Sequence, residues 1–265
     1  MNKKNGIVAF FDILGYQNII INNDVEQVAN IITETILELP IKVQSGIKEM
    51  LTRSSSIIND NKKNELVYKV INDIDFLIVS DSILIFLPVD DASFDEWSNI
   101  YWGLFFFYCC FLLNESFVKG LPLRGAIEYG EYFRKENCFA GKSIINSYVQ
   151  ANELEFSGCV ICDNAALKIK PMLNEELIGI FAFEYLAPLK NNLEKRMIFL
   201  NWIAYRSKRT FFDVRQFTIE SFHSHNKDIS NRVLNKLNNT EKIIRYCLIL
   251  NERRHNEKRT AHDAT

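Results

Sequence analysis

The sequence predicts an α+β fold: a mixed, largely antiparallel sheet covered by helices, followed by a C-terminal strand pair and helices packed on it. Two observations carry this reading. Strand-length apolar runs alternate with helical stripes through the first two thirds of the chain, and the last third changes to a strand pair followed by 3.6-residue periodicity. With 265 residues, 48% of them hydrophobic and 20 of them phenylalanine, the chain has ample material for a sizeable core. Two units are expected, residues 1–168 and an extension over residues 169–265 packed on the first.

The first strand is read at Gly6-Ile-Val-Ala-Phe-Phe-Asp-Ile-Leu-Gly15-Tyr16, where Ile7 to Phe11 suit a strand buried on both faces. Asp12 closes that run, and a carboxylate there is costly unless a cation or donor meets it. A helix is expected from Asn23 to Ile47, with Asn23 and Asp24 as caps and Pro40 as an interruption. Residues 53–64 are polar enough for a mobile connection, and a strand is expected to start near Leu66. Asp75 to Pro88 then reads as a hairpin hinged on Ser80-Asp81-Ser82. Asp12 and Asp81 converge if the first strand pairs beside that hairpin, giving an oxygen-rich site for Mg²⁺ or Mn²⁺. The competing reading of each motif is ordinary turn chemistry.

Asp90 to Trp97 is an acidic helix start, and Ile100 to Leu113 is almost without polarity. That run is shorter than the roughly 20 residues a bilayer requires, so it predicts a helix buried between layers or against a partner subunit. Leu121 to Gly130 alternates as a core strand, with Arg124, Ala126, Glu128 and Gly130 on one face. Gly141-Lys142-Ser143 opens a helix to about Leu154, and Gly158 to Cys162 is a short strand before a short helix reaching Lys168. A strand pair is expected at Ile178–Leu186 and Arg196–Trp202. Helices follow from Phe211 to Phe222 and from Ile229 to Leu250, with a frayed tail from Asn251.

A net charge of −2 gives no polyelectrolyte signature, so nucleic acid is not expected as a partner. The N-terminal apolar run lacks the features of a secretory leader, and the six cysteines read as buried free thiols of a cytoplasmic protein. Cys159 and Cys162 form a C-x-x-C, but no second pair at zinc spacing accompanies them. His223 and His225 read as a surface pair. No membrane span is expected. Apolar residues on both faces of several strands, and the Ile100–Leu113 helix, predict a homodimer.

The order of these elements resembles the catalytic domain of class III nucleotidyl cyclases. The residues carrying the resemblance are Phe11-Asp12-Ile13-Leu14-Gly15-Tyr16, Ser80-Asp81-Ser82, Arg124-Gly125-Ala126-Ile127 with Gly130, and Gly141 opening its helix. The resemblance implies a ferredoxin-like βαββαβ core and two divalent ions, Mn²⁺ or Mg²⁺, at Asp12, Ile13 and Asp81. It implies a nucleoside triphosphate substrate with Arg124 at the triphosphate, Lys142 and Tyr148 as further nucleotide contacts, and a homodimer. Leu77 and Cys138 stand where purine cyclases place base-reading residues, and Ile145 and Val149 where they place transition-state Asn and Arg. The segment from Gly141 to Glu153, with Leu200-Asn-Trp202 and Val233 to Thr240, is similar to bacterial pyrimidine cyclases of antiphage Pycsar systems. That similarity implies a cyclic pyrimidine nucleotide, from UTP ahead of CTP, acting on a separate effector. The alternative is a degenerate cyclase-like module that binds a nucleotide or a partner without turnover.

Overall fold

The computed structural model describes residues 3–54, 61–204 and 213–263. Its centre is β1 (Lys3–Ile13), hydrogen-bonded along most of its length between β3 (Ser82–Pro88) and β4 (Leu123–Lys135). A strand flanked on both sides and covered on both faces must be apolar throughout, and Ile7 to Phe11 are all buried. β2 (Asp75–Val79) forms a hairpin with β3, and β5 (Cys138–Ala140) folds back on β4. β6 (Gly158–Ile161) runs parallel to β4, while the other ladders are antiparallel.

The C-terminal strands β7 (Ala182–Pro188) and β8 (Glu194–Leu200) extend this same sheet, because β8 pairs with β6 through Val160↔Phe199 and Ile161↔Ile198. The order is β2-β3-β1-β4-β6-β8-β7, the expected mixed and largely antiparallel sheet. Close approach fixes one position: Gly125 lies opposite Phe11, and a Cβ there would meet the Phe11 ring and stand 2.7 Å from the Phe10 carbonyl oxygen.

The expected helix after the first strand is several pieces: α1 (Tyr16–Asn22), α2 (Val25–Asn30), a π-helical turn over Ile31–Ile36, and α3 (Leu39–Ser54). Asp24 caps α2 in a capping box with Gln27. The break before α3 falls at Leu37 and Glu38, just ahead of Pro40, where the sequence placed an interruption. Pro40 occupies the first turn of α3, where a missing N–H costs nothing, and its carbonyl accepts from Tyr108 Oη at 3.0 Å. Of the expected connection at 53–64, residues 55–60 lie outside the described residues, and the flanks belong to α3 and α4 (Asn61–Asp73). Leu66 therefore starts no strand: Val67, Val70 and Ile71 bury one face of α4 at helical spacing.

α5 (Asp91–Val118) bends at Trp97 (φ −123°, ψ 26°) and is buried nearly all round from Ile100 to Leu113. By length and composition its Phe94–Val118 stretch could cross a membrane, yet most of it is buried inside the fold. The chain's own α3 and α4, together with α8 (Glu176–Phe181), pack on α5, so this helix gives no reason to expect a partner subunit. The exposed apolar side chains include Ile145, Tyr148 and Val149 on α6 (Lys142–Glu153) and Phe139 on β5.

α7 (Asp163–Ile169) follows β6. Residues 178–181, expected to begin a strand, complete α8, and the strand starts at Ala182. α9 (Val214–His223) begins after Asp213, whose carboxylate caps it; Phe211 and Phe212 lie outside the described residues. α10 (Asn231–Asp263) carries the tail as helix instead of letting it fray. The tail is anchored by Asn251, which accepts from Asn201 at 2.7 Å, and by Arg254, which donates to the Ile180 carbonyl at 3.1 Å. Five cysteines are buried free thiols as expected, while Cys138 is exposed on the short strand β5.

Candidate active site

The ends of β1, β3 and β4 meet at one edge of the sheet, and register alone places the key side chains there. Asp12 lies opposite Ser82 on β3 and opposite Arg124 on β4. The β2–β3 turn is two residues long, with Ser80 in the left-handed region at φ 57°. The Ile13 amide donates to the Asp81 carbonyl at 3.0 Å, which fixes the tip of the hairpin against the end of β1.

Arg124 grips Asp12. Its Nε and Nη2 both lie 2.8 Å from Asp12 Oδ2, and the two side chains are only 14% and 17% exposed. Nη2 also donates to Asn152 Oδ1 at 2.6 Å and Nη1 to the Asn152 carbonyl at 3.3 Å, tying the arrangement to α6. Burial raises the Asp12 pKa above the usual carboxylate value; Arg124 opposes that rise and the Asp81 carboxylate adds to it. A further cation beside the two carboxylates would relieve both the burial and the mutual repulsion.

Asp12, Ile13, Asp81 and Arg124 line one cavity of about 340 Å³. Its floor is the β1–α1 loop, where Gly15 adopts φ 81° and a Cβ would stand 2.9 Å from Lys227 Cδ. The rest of its lining comes from the C-terminal third: Phe222, Lys227, Asp228, Arg232, Val233 and Lys236. Lys227 is 2% exposed and donates to the carbonyls of Gly120 at 2.5 Å and Ser221 at 3.0 Å. Burial pushes its pKa down to about 7. Lys236, also buried, pairs with Glu155 at 3.2 Å; burial lowers its pKa, Glu155 works against that, and the positive charges of Arg232 and Arg124 add to it.

The sequence-predicted residues do not all gather here. Lys142 lines a different cavity of about 510 Å³ with Glu128, Asn146 and Asn164. Tyr148 is half exposed on α6, its ring edge-on to Phe10 at 5.2 Å. The α6 residue that reaches Arg124 is Asn152, which the sequence reading missed. Lys227, Arg232 and Lys236 were missed as well. The one signal for the last two was their four-residue spacing on a helix, common on any solvated face.

Among the described residues, no group of three or more His, Cys, Asp or Glu side chains gathers to hold a metal. The donor set is two carboxylates with backbone oxygens beside them. Such a set fits a hard divalent ion whose remaining ligands arrive on a substrate's phosphates, and does not fit a closed structural metal site.

No protein-family model matches the chain, and no curated protein matches it in sequence. Solved structures similar to it include the catalytic core of a rhodopsin-guanylyl cyclase with converted specificity in complex with ATPαS, at a TM-score of 0.46 and 11% identity. That match covers 75% of this chain and 96% of the other. A bacterial light-regulated adenylyl cyclase aligns at a TM-score of 0.42 and 8% identity, covering 76% and 92%. A class III adenylyl cyclase-like ATP-binding protein from Pseudomonas aeruginosa aligns at 0.37 and 10%, covering 65% of this chain and 37% of that one.

Proposed function

We propose that the chain is a nucleotidyl cyclase of the class III type that converts a pyrimidine nucleoside triphosphate, UTP ahead of CTP, to its 3′,5′-cyclic nucleotide and pyrophosphate. Its role on this reading is antiphage defence, with the cyclic nucleotide acting on a separate effector. The observation that carries the reading is the convergence of Asp12 and Asp81 in one cavity that Arg124, Lys227, Arg232 and Lys236 also line. Carboxylates for divalent ions and cations for phosphates are the two halves of a metal-nucleotide site.

Asp12 and Asp81 are the residues that would hold the ions, with Ile13 contributing through its backbone. Bound there, Mn²⁺ or Mg²⁺ supplies positive charge that eases ionisation of the ribose 3′-hydroxyl and neutralises the triphosphate. Arg124 orients the Asp12 carboxylate, and Asn152 orients Arg124. In the reaction the 3′-oxygen forms a bond to the α-phosphorus, the bond to the bridging oxygen breaks, pyrophosphate leaves and the hydroxyl proton passes to solvent.

For the base, Leu77 has no hydrogen-bonding group and Cys138 is a weak donor, so neither reads a purine as a lysine does. Ile145 and Val149, which replace the family's transition-state residues, favour the alternative of a nucleotide-binding module without turnover. The deciding experiment offers each of the four ribonucleoside triphosphates with Mn²⁺ and separates the products by chromatography. A cyclic pyrimidine nucleotide is expected. Cyclic AMP or cyclic GMP as the main product overturns the pyrimidine assignment, and calorimetric nucleotide binding without product selects the module.

The homodimer belongs to the same proposal, on different ground from that offered by the sequence. Ile145, Tyr148 and Val149 form an exposed apolar stripe at i, i+3 and i+4 on α6. A charge within it should be incompatible with pairing. Val149→Glu is expected to sediment as a monomer at concentrations where the parent protein is a dimer. A parent protein that is monomeric and fully active at micromolar concentration would refute the pairing.

A further inference from the structure

Four cations line the Asp12–Asp81 cavity, and three of them already have partners. Arg124 is bound to Asp12 and Asn152, Lys236 to Glu155, and Lys227 to two backbone carbonyls. Arg232 makes no hydrogen bond or ion pair with the described residues, yet it lines the same cavity. It sits one turn before Lys236 on α10, an i,i+4 arrangement of like charges that weakens a helix unless an anion lies between them. Lys236 feels the charge of both Arg232 and Arg124.

The cavity therefore brings carboxylates and cations together. Asp12 and Asp81 come to it from the strand ends and the hairpin tip, and Arg232 with Lys236 from α10. Asp228, the remaining carboxylate of the lining, is engaged by the Asn22 side-chain amide at 3.0 Å. We infer that Arg232, with Lys236 one turn behind it, is the phosphate-binding pair of this cavity, so that the C-terminal helix of the same chain completes the nucleotide site. This rests on reading the cavity as a triphosphate site. It shifts the phosphate contact from Arg124, whose guanidinium is already engaged, to a guanidinium whose planar fork is free to bind phosphate oxygens in pairs.

Arg232 is exposed and makes no hydrogen bond or ion pair among the described residues, so replacing it tests ligand binding and not folding. The experiment is calorimetric titration of the full-length protein with inorganic tripolyphosphate and Mn²⁺, comparing the parent, Arg232→Gln, Arg232→Lys and Arg196→Gln. Arg196 is an exposed arginine on β8 that does not line the cavity. Losing a charge-assisted pair of hydrogen bonds should weaken tripolyphosphate binding about tenfold in Arg232→Gln. Arg232→Lys should fall between, since it keeps the charge without the fork, and Arg196→Gln should match the parent.

Equal affinity for the parent and Arg232→Gln overturns the assignment, as does equal weakening by Arg196→Gln or no tripolyphosphate binding by the parent. The cyclase reading fails separately, by absence of cyclic product from all four nucleotides, and that outcome leaves the tripolyphosphate comparison intact. With an active protein, the Michaelis constant for the nucleotide should rise in Arg232→Gln by a factor similar to the loss of affinity.

Discussion

Asp12→Asn is expected to lower the rate of cyclic-nucleotide formation about 10³-fold or more while leaving the fold intact. A carboxylate that places a divalent ion at a transferring phosphoryl group contributes several kcal/mol of transition-state stabilisation, and each 1.36 kcal/mol is tenfold in rate. The amide is nearly isosteric, its oxygen still accepts from Arg124, and Arg124 keeps both contacts to Asn152, so the guanidinium keeps its hydrogen bonds but loses the carboxylate charge that faces it. Thermal unfolding should therefore stay cooperative, at a lower temperature than the parent's. The pH dependence gives a second handle. In the metal-free protein burial raises the Asp12 pKa, so protons should compete with Mn²⁺ for this carboxylate at a higher pH than for an ordinary aspartate, and that pH dependence of Mn²⁺ binding should be absent from the variant. Retained turnover in a folded Asp12→Asn protein would remove this carboxylate from the chemistry.

The parts of this site that were legible in the sequence are those set by local chemistry. A strand interrupted by Asp12 and a two-residue hairpin tip carrying Asp81 are short-range signals, and the pairing of β1 with β3 brings them together. The alternation over Leu121 to Gly130 put Arg124 on one face, but its bond to Asp12 spans 112 positions and needs the β1–β4 register, which no local pattern encodes. Arg232 and Lys236 were illegible for the same reason. A basic i,i+4 pair looks the same on any helix, and only the return of α10 to the sheet edge gives it a target. Leu66 to Ile71 was misread because a short apolar run fits either period until its neighbours decide. Similarly, the composition of Ile100 to Leu113 states that the helix is covered without saying whether the cover is α3, α4 and α8 or a second subunit.

Lys227 should make the stability of this protein rise with pH between about 7 and 9.5. Its ordinary pKa is 10.5 and burial lowers it to about 7 in the folded chain. Below about 7 both folded and unfolded states hold the proton, so the full cost of burying the ammonium is present. Between that pH and 10.5 the unfolded chain binds a proton that the folded chain has released, and stability increases with pH. For this one group the gain from pH 7 to 9.5 is on the order of 3 kcal/mol. The ammonium donates to the Gly120 and Ser221 carbonyls. Lys227→Met removes the titration and leaves those two carbonyls without their donor, at a pH-independent cost of about 1–3 kcal/mol. The measured quantity is the difference between the two proteins in denaturant unfolding at a series of pH values, in which other titrating groups cancel. That difference should grow in favour of the parent as pH rises. A flat difference from pH 7 to 9.5 would mean that the ammonium is no harder to hold in the folded chain than in water. The consequence reaches the active site, because the Lys227 stem lies directly under Gly15. The loop following Asp12 therefore rests on a side chain whose charge changes near neutral pH.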